Sequence, residues 1–315
     1  MGYFYIILSL VLFACVCALV TSYVCFFRIF LSRRKKTAAA HEEYPIPEGK
    51  IYEERREQMI EWIKLTRSAA HKEYSITSFD GLRLCGRYYE YSPDAPIELL
   101  MHGYKGSAER DLSGGIARCF SLGHSVFVFD HRASGDSEGR VISFGVNESR
   151  DCLLWVDFII NNINKDARII IAGISMGGAT AAICAGEELP SNVIGVVADC
   201  GYTSAEDIIK KVMDDMGLPS RLLYPFARLG ARIFGRFDPA ERSPISAMKS
   251  CRVPIIFFHG DVDDYVPCFM SEQNYEACAH EKKRLVVIEG AGHGLCFPVD
   301  KQRYLDELRD FFGEC

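Results

Sequence analysis

Six times between residues 97 and 312, a short and continuously apolar run is followed by a loop and then by a longer stretch with helical periodicity. The apolar runs cover residues 97–101, 125–129, 168–172, 193–198, 254–258 and 284–288; the helical stretches are 108–122, 144–162, 176–188, a longer region at 201–250, 266–279 and 300–312. Runs without polar alternation need burial on both faces, and strands that return in the same direction need crossover helices. The pattern therefore predicts a largely parallel sheet covered by helices on both sides. Two alternating segments, 73–79 and 82–91, come first and meet at Asp80-Gly81, so the sheet opens with an antiparallel hairpin and reaches eight strands. A ligand site in such a sheet lies beyond the carboxyl ends of its strands.

At one of those ends stands Gly173-Ile174-Ser175-Met176-Gly177, between the β-branched run 168–172 and an Ala-rich helix. The pentapeptide alone is short enough to arise by chance. In a strand-to-helix corner, however, its serine is held on a sharp turn with the hydroxyl exposed, which suits a nucleophile. A serine hydroxyl needs a base to remove its proton, and the base needs an acid to orient it. His293, in Gly290-Ala291-Gly292-His293-Gly294 just past the last apolar run, is the predicted base. The acid is expected after the preceding run, where Asp261, Asp263 and Asp264 offer three carboxylates. Asp263 is preferred, because Asp261 is too near the strand end and Asp264 begins the turn toward Pro267. Spacing leaves open which of the three faces the imidazole. For the oxyanion formed on attack at a carbonyl, the expected donors are the backbone N–H of Met176 and that of Tyr104, in the loop His102-Gly103-Tyr104-Lys105-Gly106.

With these motifs in hand, residues 73–315 resemble the α/β-hydrolase superfamily. The resemblance rests on the H-G loop at His102-Gly103, the elbow at Ser175, H-G-x-x-D-x-x-V-P from His259 to Pro267, and G-x-G-H at His293. It rests also on residues 130–139, which resemble the family's D-x-R-G-x-G-x-S-x-G loop with Ala133 in place of one glycine. That departure affects the local turn and removes no catalytic group. The order Ser, Asp, His fits the family arrangement, and within the superfamily the chain is most similar to bacterial membrane-anchored members of the serine aminopeptidase-like and lysophospholipase-like group. The resemblance implies an α/β fold of the α/β-hydrolase type and an ester hydrolase working through an acyl-enzyme without metal or organic cofactor. The same fold also hosts thioesterases, peptidases and acyltransferases, and a non-catalytic ligand-binding relative is a rival of another class. P-loop, H-E-x-x-H and G-x-G-x-x-G patterns are absent.

The N-terminus adds a second constraint. No charge occurs before Arg28, and residues 2–27 are apolar and long enough to cross a hydrocarbon layer. Arg33-Arg34-Lys35-Lys36 follows at once, predicting an uncleaved, single-pass cell-membrane anchor (residues 1–31) with the rest of the chain on the cytoplasmic side. Residues 32–50, with Pro45 and Pro47, read as basic flank and tether to a hydrolase domain at 51–315. From residue 37 onward 31 basic residues face 42 acidic ones, a net charge of −11 that disfavours nucleic acid as a partner. The 13 cysteines include no C-x-x-C pair and suit buried thiols in a reducing compartment. The apolar-rich region 201–250 is placed to form a small helical cap over a pocket. Anchor and cap together favour a lipophilic or acyl-lipid ester, and Arg221, Arg228, Arg232 and Arg236 would form a basic stripe on a cap helix able to meet anionic headgroups. Oligomeric state leaves no trace in the sequence.

Overall fold

Period-two placement of side chains sorts the strands onto two cores. Leu99 and Met101 of β3 (Ile97–Met101) enter one apolar cluster with Phe127 and Phe129 of β4 (Ser125–Phe129), whereas Leu100, Val126 and Val128 enter the cluster on the opposite face. Helices cover both. On the first face lie α5 (Val146–Asn162) and α6 (Met176–Ala185), with Trp155 fully buried; on the second lie α4 (Ala108–Ser121) and α12 (Lys301–Phe312), with Ile116 and Tyr304. The remaining strands are β1 (Lys72–Thr77), β2 (Arg83–Tyr89), β5 (Ile169–Ile174), β6 (Val193–Asp199), β7 (Ile255–Gly260) and β8 (Lys283–Ile288). These elements come from a computed structural model that describes residues 1–32 and 43–313. The basic cluster at 33–36 and the tether residues 37–42 lie outside the described residues.

The sheet has eight strands in the order β1-β2-β4-β3-β5-β6-β7-β8. β2 is antiparallel to both β1 and β4, and all other pairs are parallel. The opening hairpin closes where Ser78 Oγ accepts the Leu82 N–H and donates to Asp80 Oδ1 at 2.6 Å. From β3 the chain goes to β4 on one side and then crosses to β5 on the other, so the strand order reverses between β3 and β5. A crevice forms at such a reversal, outside the carboxyl ends of the two strands. His102-Gly103 and Ser175 follow those two ends.

Residues 201–250 fold as α7 (Ala205–Asp215), α8 (Ser220–Gly230), a π-helical turn (Ala231–Gly235) and α9 (Pro244–Met248). Ser204 caps α7 by accepting the Asp207 N–H at 3.0 Å. The basic stripe expected here does not form on one helix. Arg221 and Arg228 lie on α8, Arg232 lies on the π turn and Arg236 beyond it at φ 58°, because the wider turn and the left-handed residue break the helical register. Arg228 pairs with Asp238 at 2.8 and 2.9 Å, and Arg232 lies 3.8 Å from the same carboxylate.

The N-terminal helix α1 (Gly2–Ile29) is long and apolar enough to cross a membrane. Its last turns do not hang free. Phe26 and Phe30 are buried in a third apolar cluster with Phe144, Tyr224 and Phe237, and Phe30 meets Phe144 and Phe237 edge-on at 5.6 and 5.4 Å. The approach to the cap depends on Gly230, where an added Cβ would lie 2.2 Å from the Ser22 carbonyl oxygen.

Candidate active site

β5 ends at Ile174 and α6 begins at Met176, leaving Ser175 alone at the corner with φ 57° and ψ −118°. L-residues hold that conformation only under strain, and the surrounding backbone supplies the restraint. The Ser175 N–H donates to the Asp199 carbonyl at 2.8 Å, and the Ser175 carbonyl accepts the Ala179 N–H at 2.9 Å. The helix start also presses on β3: a Cβ at Gly177 would sit 2.1 Å from the Met101 carbonyl oxygen.

Loops after β7 and β8 bring in the other two residues. His293 Nε2 lies 2.9 Å from Ser175 Oγ, and His293 Nδ1 lies 2.7 Å from Asp263 Oδ2. An ionised carboxylate only accepts, so Nδ1–H donates to Asp263 and Nε2 accepts from the serine hydroxyl. Asp263 Oδ1 accepts the Tyr265 and Val266 N–H groups at 3.0 and 2.8 Å. Burial by itself would raise this carboxyl, but hydrogen bonds from His259 and His293, the His293 charge and the Val266 amide outweigh it and hold Asp263 well below the usual carboxylate range. Its two neighbours point elsewhere. Asp261 accepts the Gly290 N–H at 2.7 Å, and Asp264 is exposed.

The loop after β3 stands over Ser175; a Cβ at Gly103 would lie 3.5 Å from the serine Cβ. Gly103 N–H donates to Asp111 Oδ2 at 3.1 Å, and His102 is buried with Nδ1 2.8 Å from the Gly103 carbonyl oxygen and Nε2 accepting the His131 N–H at 3.0 Å. The backbone N–H groups of Tyr104 and Met176 have no protein acceptor among the described residues. In the neighbouring 130–139 loop Ala133 does take the glycine-like φ of 63°. Asp130 holds that loop, accepting the Ala108 N–H at 2.9 Å and the Asp136 N–H at 2.8 Å.

Two cavities meet at Ser175. One, of about 650 Å³, includes Tyr52, Trp62, Asp111 and Asp199; the other, of about 780 Å³, runs between the cap and α1, and both are bordered by Tyr104 and Tyr265. Cys200 joins Asp263 and His293 in placing possible metal-ligand atoms within 4.8 Å of one another among the described residues. Those of Asp263 and His293 already bond each other, and burial, with the Asp199 and Asp263 charges, pushes the Cys200 thiol well up and away from the thiolate a metal takes.

A sequence model described as the alpha/beta hydrolase fold matches residues 99–223. The chain has the α/β-hydrolase fold. Among solved structures it is similar to the Pyrococcus furiosus esterase Pf2001, with a TM-score of 0.64 at 22% identity over 78% of this chain and 93% of that one. Among curated relatives it is similar to the uncharacterised protein YqkD of Bacillus subtilis, 29% identical over 191 residues. That match covers 60% of this chain and 62% of the relative, less than two thirds of the relative's length. An uncharacterised membrane protein of Saccharomyces cerevisiae, YNL320W, is 25% identical over 193 residues, 61% of this chain and 62% of its own.

Three site contributions escape sequence reasoning. His259, the first residue of H-G-x-x-D-x-x-V-P, is wholly buried, with Nε2 2.8 Å from the Val266 carbonyl oxygen and 3.4 Å from Asp263 Oδ2. The motif shows the histidine but not that it turns back on its own loop. Asp111 looks like an ordinary first-turn acid of α4 and instead takes the Gly103 N–H. Tyr52, in the short helix α2 (Lys50–Glu53), donates its hydroxyl to the His293 carbonyl at 2.9 Å. It lies beside a Pro- and Gly-containing stretch that carries no periodic signal.

Proposed function

We propose that this chain is a serine hydrolase that cleaves a carboxylic ester through an acyl-enzyme. The reading rests on one observation: the hydrogen-bonded line from Ser175 Oγ through His293 to Asp263, ending on a serine held in a strained corner. Ser175 Oγ attacks the ester carbonyl carbon while His293 Nε2 takes its proton. The tetrahedral oxyanion is held by the Met176 and Tyr104 N–H groups. Collapse breaks the bond to the alcohol oxygen, which leaves with the proton from Nε2. Water then attacks the acyl-serine, His293 takes the water proton, and collapse returns it to Ser175 Oγ with release of the acid. Asp263 remains ionised, fixing the imidazole tautomer and stabilising its charged form.

Support for an acyl-lipid or other lipophilic ester comes from the apolar second cavity and from the apolar helix that borders it. In this reading α1 anchors the enzyme in the cell membrane with the hydrolase domain on the cytoplasmic side. The test is activity-based labelling of full-length protein in detergent. A fluorophosphonate is expected to label the wild type, and Ser175→Ala to abolish the label while leaving the thermal unfolding curve in place. Equal labelling of the two proteins would remove Ser175 as the nucleophile. Turnover of p-nitrophenyl esters in preference to aminoacyl anilides is expected; the reverse preference would make the protein a peptidase on the same residues.

A further inference from the structure

The cavity between cap and α1 is more than an apolar void. Its inner end is Ser175, beside Met176 and Tyr202, which are buried. Its outer end is ringed by apolar side chains open to the surroundings: Val20 is 57% exposed and Val24 50%, facing Met216 at 69% and Leu218 at 40% across the gap. A chamber of about 780 Å³ lies in the range of small-molecule sites, about 300–1,000 Å³. One side of the mouth belongs to α1 and the other to the cap.

The position of that mouth along α1 identifies what it faces. Residues 2–17 are exposed throughout, which at about 1.5 Å per residue is ~24 Å of uncovered apolar helix, most of the ~30 Å of a bilayer's hydrocarbon core. Val20 comes less than one turn later. With α1 spanning the membrane, the mouth opens at the edge of the hydrocarbon layer, where acyl chains are and polar solutes are not. Exposed Leu222, Leu229 and Ile233 on the cap extend the apolar surface outside the chamber.

We propose that this chamber takes the acyl chain of a membrane lipid ester, and that the C-terminal turns of α1 are the wall that sets which chain lengths fit. The chain slides from the bilayer between α1 and the cap until its carbonyl reaches Ser175. The alcohol portion then lies in the other cavity, which carries the polar Tyr52, Asp111 and Asp199. This inference rests on the ester-hydrolase reading.

The experiment uses full-length protein in lipid-detergent micelles, compares turnover of p-nitrophenyl palmitate with the butyrate, and titrates active sites with a short-chain fluorophosphonate. Val24→Trp and Val20→Trp each place a large ring at the half-exposed mouth. Each is expected to lower the palmitate-to-butyrate ratio about ten-fold, because the ring narrows the entrance that a long chain must occupy and a short one does not reach, while butyrate turnover and labelling stay at the wild-type level. Leu12→Trp, on the uncovered part of α1, is expected to leave the ratio unchanged. Wild-type ratios in both mouth variants, or an equal fall in Leu12→Trp, would overturn the inference while leaving the hydrolase reading intact. A wild type that neither labels nor turns over either ester would instead overturn that reading, and the inference with it.

Discussion

Asp263 carries more than the orientation of one imidazole. Its two oxygens receive His293 Nδ1–H and two backbone amides, with His259 Nε2 3.4 Å away, and the sum keeps it ionised despite burial. Asp263→Asn keeps the shape but offers an amide to Nδ1, so the imidazole takes the other tautomer and Nε2 no longer accepts the serine proton. The expected loss in kcat is about 10⁴-fold, the size typical of a wrongly held tautomer, read from steady-state ester hydrolysis. The depressed carboxyl also couples folding to pH. A group with a lowered folded-state pKa contributes stability that is present above its unfolded value, about 3.9, and lost as pH falls through the folded value. The Tm gap between wild type and Asp263→Asn is therefore expected to be constant near neutrality and to shrink below about pH 3.9; a gap independent of pH would count against the ionised carboxylate. Ser175, Asp263 and His293 were legible because each occupies a short motif at a strand end, where few residues separate the strand from the crevice. His259, Asp111 and Tyr52 were not, since His259 and Asp111 fold back on loop backbone, Tyr52 reaches a carbonyl far along the chain, and no local periodicity records any of these bonds.

Helices show the complementary limit. Helical periodicity locates α4 and α12 within a few residues, each starting where Ser107 or Asp300 accepts an N–H of the first turn, whereas α7, α8 and α9 read only as one helical region, 201–250. The union of α1 with α8 leaves no such mark. A helix apolar all round has no distinguished face, so Phe26 and Phe30, buried against α8 and the turn after it, look in sequence like the exposed apolar residues before them. The π turn after α8 is equally silent, and it is what disperses the arginines. Gly230 is the place to test the union. Its Cβ would meet the Ser22 carbonyl at 2.2 Å, a backbone atom that no rotamer change can move. Gly230→Val is thus expected to push α1 off the cap and cost about 1–3 kcal/mol, seen as a lower Tm in detergent. An unchanged Tm would mean that the helix pair contributes nothing to stability.

At the scale of the molecule, charge and topology act together. Alternation of strands and helices implies a parallel sheet with its site beyond the carboxyl ends of the strands, whereas the strand order that puts the crevice between β3 and β5 is seen only in the fold. What alternation does not record is how the α/β domain sits against α1, because that contact is made chiefly through α8. The proposed orientation is argued from charge: five basic residues lie at or just after the end of α1, while the domain beyond carries a net charge of −11. Basic residues resist translocation far more than acidic ones do, so the proposed orientation keeps the basic flank, and the domain after it, in the cytoplasm. Sealed vesicles distinguish the two orientations. In right-side-out vesicles added protease is expected to leave the domain, detected by fluorophosphonate label on Ser175, intact until detergent is added; in inverted vesicles it is expected to be digested at once. The opposite pattern would place the domain outside. Release of the full-length chain by alkaline carbonate, without detergent, would remove the span altogether and with it the bilayer-facing mouth of the acyl chamber.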